Sequence, residues 1–172
     1  GTVLSFRVGA QKSFLQASEP FEKAIFLSLA AQWPKNIAPS QLHELVAKKL
    51  QTKGITAPSK EKLLSILSEC YMRGVVLFRT TRAKASRLIS EKPKGLAFAR
   101  LQASEDSFVT DAYHRMVLLN NFHRALLQNL DGNKNITQIE KELEPIISSA
   151  KEKVSVKESL ERLKSYALLI DK

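Results

Sequence analysis

A chain of 172 residues with 44% hydrophobic side chains and only six prolines can bury a core, which excludes a disordered segment. Its formal net charge of +10 admits a nucleic-acid or acidic partner. No apolar run approaches the roughly 18 residues of a membrane helix, which excludes a spanning segment of that kind.

The N-terminus, GTVLSFRVG, has neither a basic region nor a hydrophobic signal core, and it begins at Gly1. It reads as a processed end or as a piece of a longer chain, and a cytoplasmic location is expected. The single cysteine, Cys70, leaves no internal disulfide and few zinc frameworks, and it reads as a small buried residue on a helix.

Taken in order, Val3 to Val8 alternates as a short strand. Ser18-Glu19-Pro20 opens a helix whose stripe is Phe21, Ala24, Ile25, Ser28, Leu29 and Trp33, widened by Phe26 and Leu27. Trp33 with Pro34 is expected to plug the core at its end. Pro39-Ser40 starts a second helix with Leu42, Leu45, Val46 and Leu50 on one face, closed by Gly54. Ser59 caps a third, in which Leu63, Ile66, Leu67, Cys70 and Tyr71 point inward. Gly74 stops it, and Val75 to Arg79 is predicted as a β-branched strand.

The residues from Thr80 to Tyr113 have weaker periodicity. Lys92-Pro93-Lys94-Gly95 reads as a turn or loop, and Leu96 to Gln102 as a short helix before a bend near Asp106. Between Tyr71 and Arg100 stand eight basic residues against the single acid Glu91, which is most of the net charge of the chain. Met116 to Leu119 is a strand, and Phe122 to Leu130 a helix ended at Asp131-Gly132. Thr137 with Glu140 makes a capping box for the next helix, with Ile139, Leu143 and Ile146/Ile147 behind it. Ser155 with Glu158 caps the last helix, whose stripe is Val156, Leu160, Leu163 and Ala167, and Leu168 to Ile170 is a final strand.

Phe122 answers to Phe21, Thr137 to Ser40 and Ser155 to Ser59, at offsets of 101, 97 and 96 residues. The predicted fold class is therefore mainly α with small β-sheets (α+β), as two tandem winged-helix-like units. The expected boundaries are 1–81 for the first unit, 82–113 for a basic connector and 114–172 for the second.

Neither a nucleophile elbow, a Walker loop nor a dinucleotide fingerprint occurs, and the six glycines are isolated. No catalytic, cofactor-binding or metal-ligating residue is expected. His43, His114 and His123 form no paired spacing for a metal. What remains is a candidate interaction surface: Arg79, Arg82, Lys84, Arg87, Lys92, Lys94, Arg100 and His114. Its basic members suit a phosphate backbone or an acidic neighbour. The outward residues of the two third helices (Lys60, Glu61, Ser65, Ser68 and Glu69; Lys157, Glu158, Glu161 and Lys164) are mixed in sign, which disfavours groove reading.

Pro93, then Ala99-Arg100-Leu101-Gln102-Ala103, Val109-Thr110 with His114, and Leu126/Leu127 to Leu130-Asp131-Gly132 carry a resemblance. They are similar to the P-x-x-x-x-A-R-x-Q-A, V-T-x-x-x-H and L-L-x-x-L-D-G pattern of the regulatory domain of bacterial class I methyltransferases. Lys23-Ala24, Trp33-Pro34 and Leu42-His43-Glu44-Leu45 resemble its first half. The chain departs from the pattern at Asp111-Ala112-Tyr113, where the family often has Asn-Leu-Arg.

The resemblance implies a non-catalytic regulatory or substrate-recognition domain of an S-adenosylmethionine-dependent methyltransferase, some relatives being protein-lysine methyltransferases. The cofactor would then sit in a catalytic domain of the same chain. That domain and a protein substrate are the expected partners, with no membrane. The alternatives are a winged-helix nucleic-acid-binding protein that uses the basic connector, and a protein-interaction scaffold.

Overall fold

The computed structural model describes residues 3–7, 14–81, 84–149 and 155–171. The chain divides into two compact units, Gly1–Arg82 and Ala83–Lys172.

In the first unit, β1 (Leu4–Arg7) and β2 (Phe14–Ala17) form an antiparallel hairpin with Leu4 opposite Ala17 and Phe6 opposite Leu15. Alternation puts Phe6, Leu15 and Ala17 against the helices and leaves Ser5 and Gln16 facing outward. Three helices follow: α1 (Pro20–Gln32), α2 (Pro39–Gln51) and α3 (Lys60–Met72). Proline at the first turn of α1 and α2 costs no hydrogen bond, because that N–H has no intrahelical partner. The Ser59 hydroxyl accepts the Lys62 N–H and caps α3. Ile25, Leu42, Val46, Leu63 and Leu67 form the centre of the core. Ser28 is tolerated within that stripe because the Lys49 ammonium donates to its hydroxyl at 3.0 Å. Cys70 is buried beside them, and burial pushes its thiol pKa up.

Four expectations for this unit fail, the first at Leu27, which is 48% exposed and does not widen the buried stripe of α1. Trp33 is 41% exposed and does not plug the core; the buried residue at the end of α1 is Pro34. Tyr71 also lies half outside, its ring 5.3 Å from that of Phe78. Val75 to Arg79 is not a strand. Gly74, at φ 69°, turns the chain so that the Val75 and Val76 N–H groups both return to the Cys70 carbonyl. No described strand runs beside the residues that follow, and β-propensity without a partner makes no ladder.

The second unit contains β3 (Lys94–Gly95), α4 (Ala97–Glu105), β4 (Phe108–Thr110), β5 (Met116–Leu118), α5 (Asn121–Asn129), α6 (Ile136–Ser149), α7 (Val156–Ser165) and β6 (Leu169–Ile170). Residues 84–113, expected to be a connector apart from both units, are folded into this one. The predicted turn at Lys94-Gly95 is a strand, with Lys94 opposite Ile170 and Gly95 opposite Leu169. Isolated bridges join Ala85 to Ile170 and Lys94 to Asp131. Helix α4 lies on α5 through Ala99 and Ala103, both fully buried. A two-residue strand has no period to detect, and alanine contacts carry little hydropathy signal, so the connector reading follows naturally from the sequence and is wrong.

Its core gathers Leu126, Leu127, Ile139, Leu143, Leu160 and Leu163. Asn120 caps α5 and Ser155 caps α7. The capping box of α6 stands two residues earlier than expected. The Asn135 side chain accepts the Gln138 N–H, and the Gln138 side chain accepts that of Asn135, both at 2.9 Å. Thr137 and Glu140 face water instead.

Helix α5, the bridge at Asp131, helices α6 and α7 and strand β6 follow the helix–strand–helix–helix–strand order of a winged helix. Both units present a hairpin and then three helices. Their third helices also end alike. Gly74 N–H donates to Tyr71 and Val75 N–H to Cys70, while Ala167 N–H donates to Lys164 and Leu168 N–H to Leu163. The fold is thus α+β, built of winged-helix-like units.

Candidate interaction site

The motif residues of the second unit meet one another. Gln102 of α4 clasps Thr110 of β4: its side-chain oxygen accepts the Thr110 N–H at 2.7 Å, and its amide donates to the Thr110 hydroxyl at 3.1 Å. The Arg100 guanidinium donates twice to the Gln128 carbonyl, at 3.2 and 3.1 Å. Arg124 and Gln128 both donate to the Ala103 carbonyl. Leu130 is fully buried, and its carbonyl accepts the Gly95 N–H. Asp131 turns the chain, its carboxylate accepting the backbone N–H groups of Asn133 and Lys134. These bonds, chiefly that from Asn133, hold its carboxyl below the usual range. Gly132, at φ 85°, lies against the Lys94 stem.

The loop between β4 and β5 is a three-residue turn closed by Asp111 N–H to the Arg115 carbonyl, with His114 in the left-handed region at φ 60°. The Asp111 carboxylate lies beneath it and accepts from the Tyr113 and Arg115 N–H groups and from the Arg115 guanidinium. Tyr113 is buried with Ala85 and Ala167. The departure from the family pattern at Asp111-Ala112-Tyr113 thus sits in internal contacts of the second unit. Because His114 is exposed and pays the left-handed strain, His114→Gly should raise the urea midpoint by the equivalent of about 1 kcal/mol. An unchanged or lower midpoint would count against this geometry.

His123 is a buried imidazole of this unit. Its Nδ1 lies 2.6 Å from the Asn120 side-chain oxygen, so the ring donates there. Burial, and then the Arg162 charge, hold its pKa below the ordinary imidazole value. The unfolded chain therefore takes up a proton that the folded chain refuses. Stability is full above about pH 6.5 and falls as the pH drops below it. Urea midpoints at pH 7.5 and 5.5 should differ in the native chain and differ less in His123→Gln.

The candidate basic residues separate into groups. Arg79 is exposed in the first unit, and Arg82 lies outside the described residues. Arg100 is half-buried on the Gln128 carbonyl, and Lys94 is half-buried in β3. His114 is exposed at its turn. Lys84, Arg87 and Lys92 remain exposed on the segment that crosses from the Ala85 bridge to β3, on either side of β6. Ser86 pins that arch, its hydroxyl donating to the Leu88 carbonyl and accepting the Leu88 N–H. Among the described residues no group of three or more His, Cys, Asp or Glu could hold a metal ion, and no helix is long and apolar enough to cross a membrane.

Sequence reasoning missed the outer face of the β4–β5 hairpin. Phe108 stands opposite Leu118 and Thr110 opposite Met116, while Val109 and Val117 face the core. Met116 is 76% exposed and Leu118 64%. The available signal was a run apolar on both strand faces, where a solvated hairpin alternates.

Residues 91–167 match the family model described as "PKMT, C-terminal winged helix domain". Several solved structures resemble the chain, among them two of PKMT2. PKMT2 from Rickettsia typhi in complex with AdoHcy aligns at 23% identity and a TM-score of 0.81, over 99% of this chain and 38% of that one. PKMT2 from Rickettsia typhi aligns at 24% identity and a TM-score of 0.75, over 92% and 35%. The chain therefore spans little more than a third of the solved proteins it matches. No curated protein matches it by sequence. The second unit is a winged-helix domain. Its residues 91–167 are similar to a C-terminal winged-helix domain of protein-lysine methyltransferases (PKMT).

Proposed function

We propose that this chain is a non-catalytic part of an S-adenosylmethionine-dependent protein-lysine methyltransferase and that it recognises substrate or regulates the catalytic domain. The observation that carries this reading is the family match over residues 91–167 together with the use its motif residues have here. Arg100, Gln102, Thr110, Leu130 and Asp131 are engaged in internal hydrogen bonds or packing. Gly54 and Gly74 end helices in the left-handed region, Gly132 lies in the turn after Asp131 and Gly95 packs closely, so none of these four builds a phosphate- or nucleoside-cradling loop. The methyl donor would belong to a catalytic domain of the same bacterial, cytoplasmic chain.

The test is equilibrium dialysis of the 172-residue protein with labelled S-adenosylmethionine. No retention is expected, and saturable binding at micromolar ligand would overturn the reading.

A second reading, nucleic-acid binding, is favoured only by the exposed Lys84, Arg87 and Lys92 on the arch. Titration with duplex DNA at two salt concentrations separates the two. Affinity that falls steeply with salt, and weakens in a triple alanine variant at those positions, would support the nucleic-acid reading.

A further inference from the structure

The two units share a hairpin laid on three helices. In the first unit Ser5 and Gln16 face outward. In the second the outer face of the hairpin carries Phe108, Leu118 and Met116, of which Phe108 is 46% exposed. Thr110 shares the face and is held by Gln102 of α4. Phe98 and Leu101, four and one residues before Gln102, lie on the same side of that helix and are also exposed. Five large apolar side chains are thus left in solvent on one side of the unit.

Area selects the occupant. At about 150–250 Å² for a large side chain, five that are half to three-quarters exposed present roughly 500 Å². A stable complex between separate molecules buries about 800 Å² on each partner, so a second copy meeting this face alone would fall short. A partner tethered in the same polypeptide meets it at an effective concentration near millimolar, where roughly 500 Å² suffices. The solved protein matched over 99% of this chain has 62% of its own length beyond the matched region, which is ample chain to supply such a partner. Resting on the methyltransferase reading above, we infer that the outer face of β4–β5, with Phe98 and Leu101, is the seat on which the catalytic domain of the same methyltransferase chain docks through an apolar surface of its own.

The chain has two methionines, and both are exposed: Met72 at 82% in the first unit and Met116 in the face itself. Peroxide oxidation followed by mass spectrometry reads each thioether separately. In the 172-residue protein both should oxidise at comparable rates, independent of protein concentration. In the full-length methyltransferase Met116 should oxidise at least tenfold more slowly than in the 172-residue protein. An unchanged Met116 rate overturns the inference. So does concentration-dependent protection of Met116 in the 172-residue protein, which would mark a second copy as the occupant.

Retention of labelled S-adenosylmethionine by the full-length chain is scored separately. Cofactor binding with Met116 unprotected defeats the docking face alone, whereas no binding defeats the methyltransferase reading. A Met116→Ser/Leu118→Ser variant of the full-length chain should keep its cofactor binding and expose its catalytic domain to limited proteolysis. An unchanged digestion pattern also overturns the inference.

Discussion

Asp111→Ala is expected to cost the second unit about 3 kcal/mol, among the largest losses available to a single polar substitution here. The carboxylate side chain has no exposed surface, and it accepts the Tyr113 N–H at 2.7 Å, the Arg115 N–H at 2.9 Å and the Arg115 Nε at 2.7 Å. Alanine removes all of these acceptors at once. Backbone donors enclosed by a three-residue turn cannot all reach water, and each left bare costs about 1–3 kcal/mol. The Arg115 guanidinium is 45% exposed and rehydrates, which is why the total stays below that of a fully buried ion pair. Asp111→Asn keeps one acceptor oxygen for the backbone and should lose only about 1 kcal/mol. Urea denaturation followed by circular dichroism checks both. A loss under 1 kcal/mol for the alanine variant would show that the turn does not depend on its carboxylate.

The second large effect lies where β3 meets α5. A methyl added at Gly95 would fall 2.8 Å from Leu127 Cδ1 and 3.2 Å from Arg100 Cγ. Leu127 is fully buried, so its δ-carbon has nowhere to retreat. Gly95→Ala should cost about 1–3 kcal/mol as overpacking, and Leu127→Ala about 2–5 kcal/mol as a cavity. The double substitution should cost clearly less than the sum. The alanine at 95 gains the space that the leucine vacates and partly fills the hole. Denaturation of the four proteins in a cycle measures the coupling; strict additivity would mean that the two side chains do not compete for one volume.

Local rules succeeded for several elements whose cause lay within a turn or two of them. The stripe of α7, the Ser59 and Ser155 caps and the left-handed glycines 54, 74 and 132 are readable because propensity, capping and φ are local quantities. They failed where a partner distant in sequence decides the matter. Val75 to Arg79 has strand composition but no described strand beside it, while Lys94-Gly95, with no strand composition, pairs with residues about 75 positions later. The box at Asn135 and Gln138 displaced that at Thr137 and Glu140 even though both spacings satisfy the rule. Of the candidate surface, Lys84, Arg87 and Lys92 are exposed. Arg100, indistinguishable from them by type, is half-buried with its guanidinium on a carbonyl of α5.

Composition, periodicity and caps by themselves determined that this protein is mostly helical, comes in two similar halves and has no local motif for chemistry, because each of those properties is set by neighbours along the chain. Tertiary structure alone decided that residues 84–113 belong to the second half and that the motif residues hold one another. It also decided that an apolar hairpin face stays uncovered within its own unit. Pairing, burial and exposure depend on which distant residues arrive beside a side chain, and a linear pattern does not carry that information.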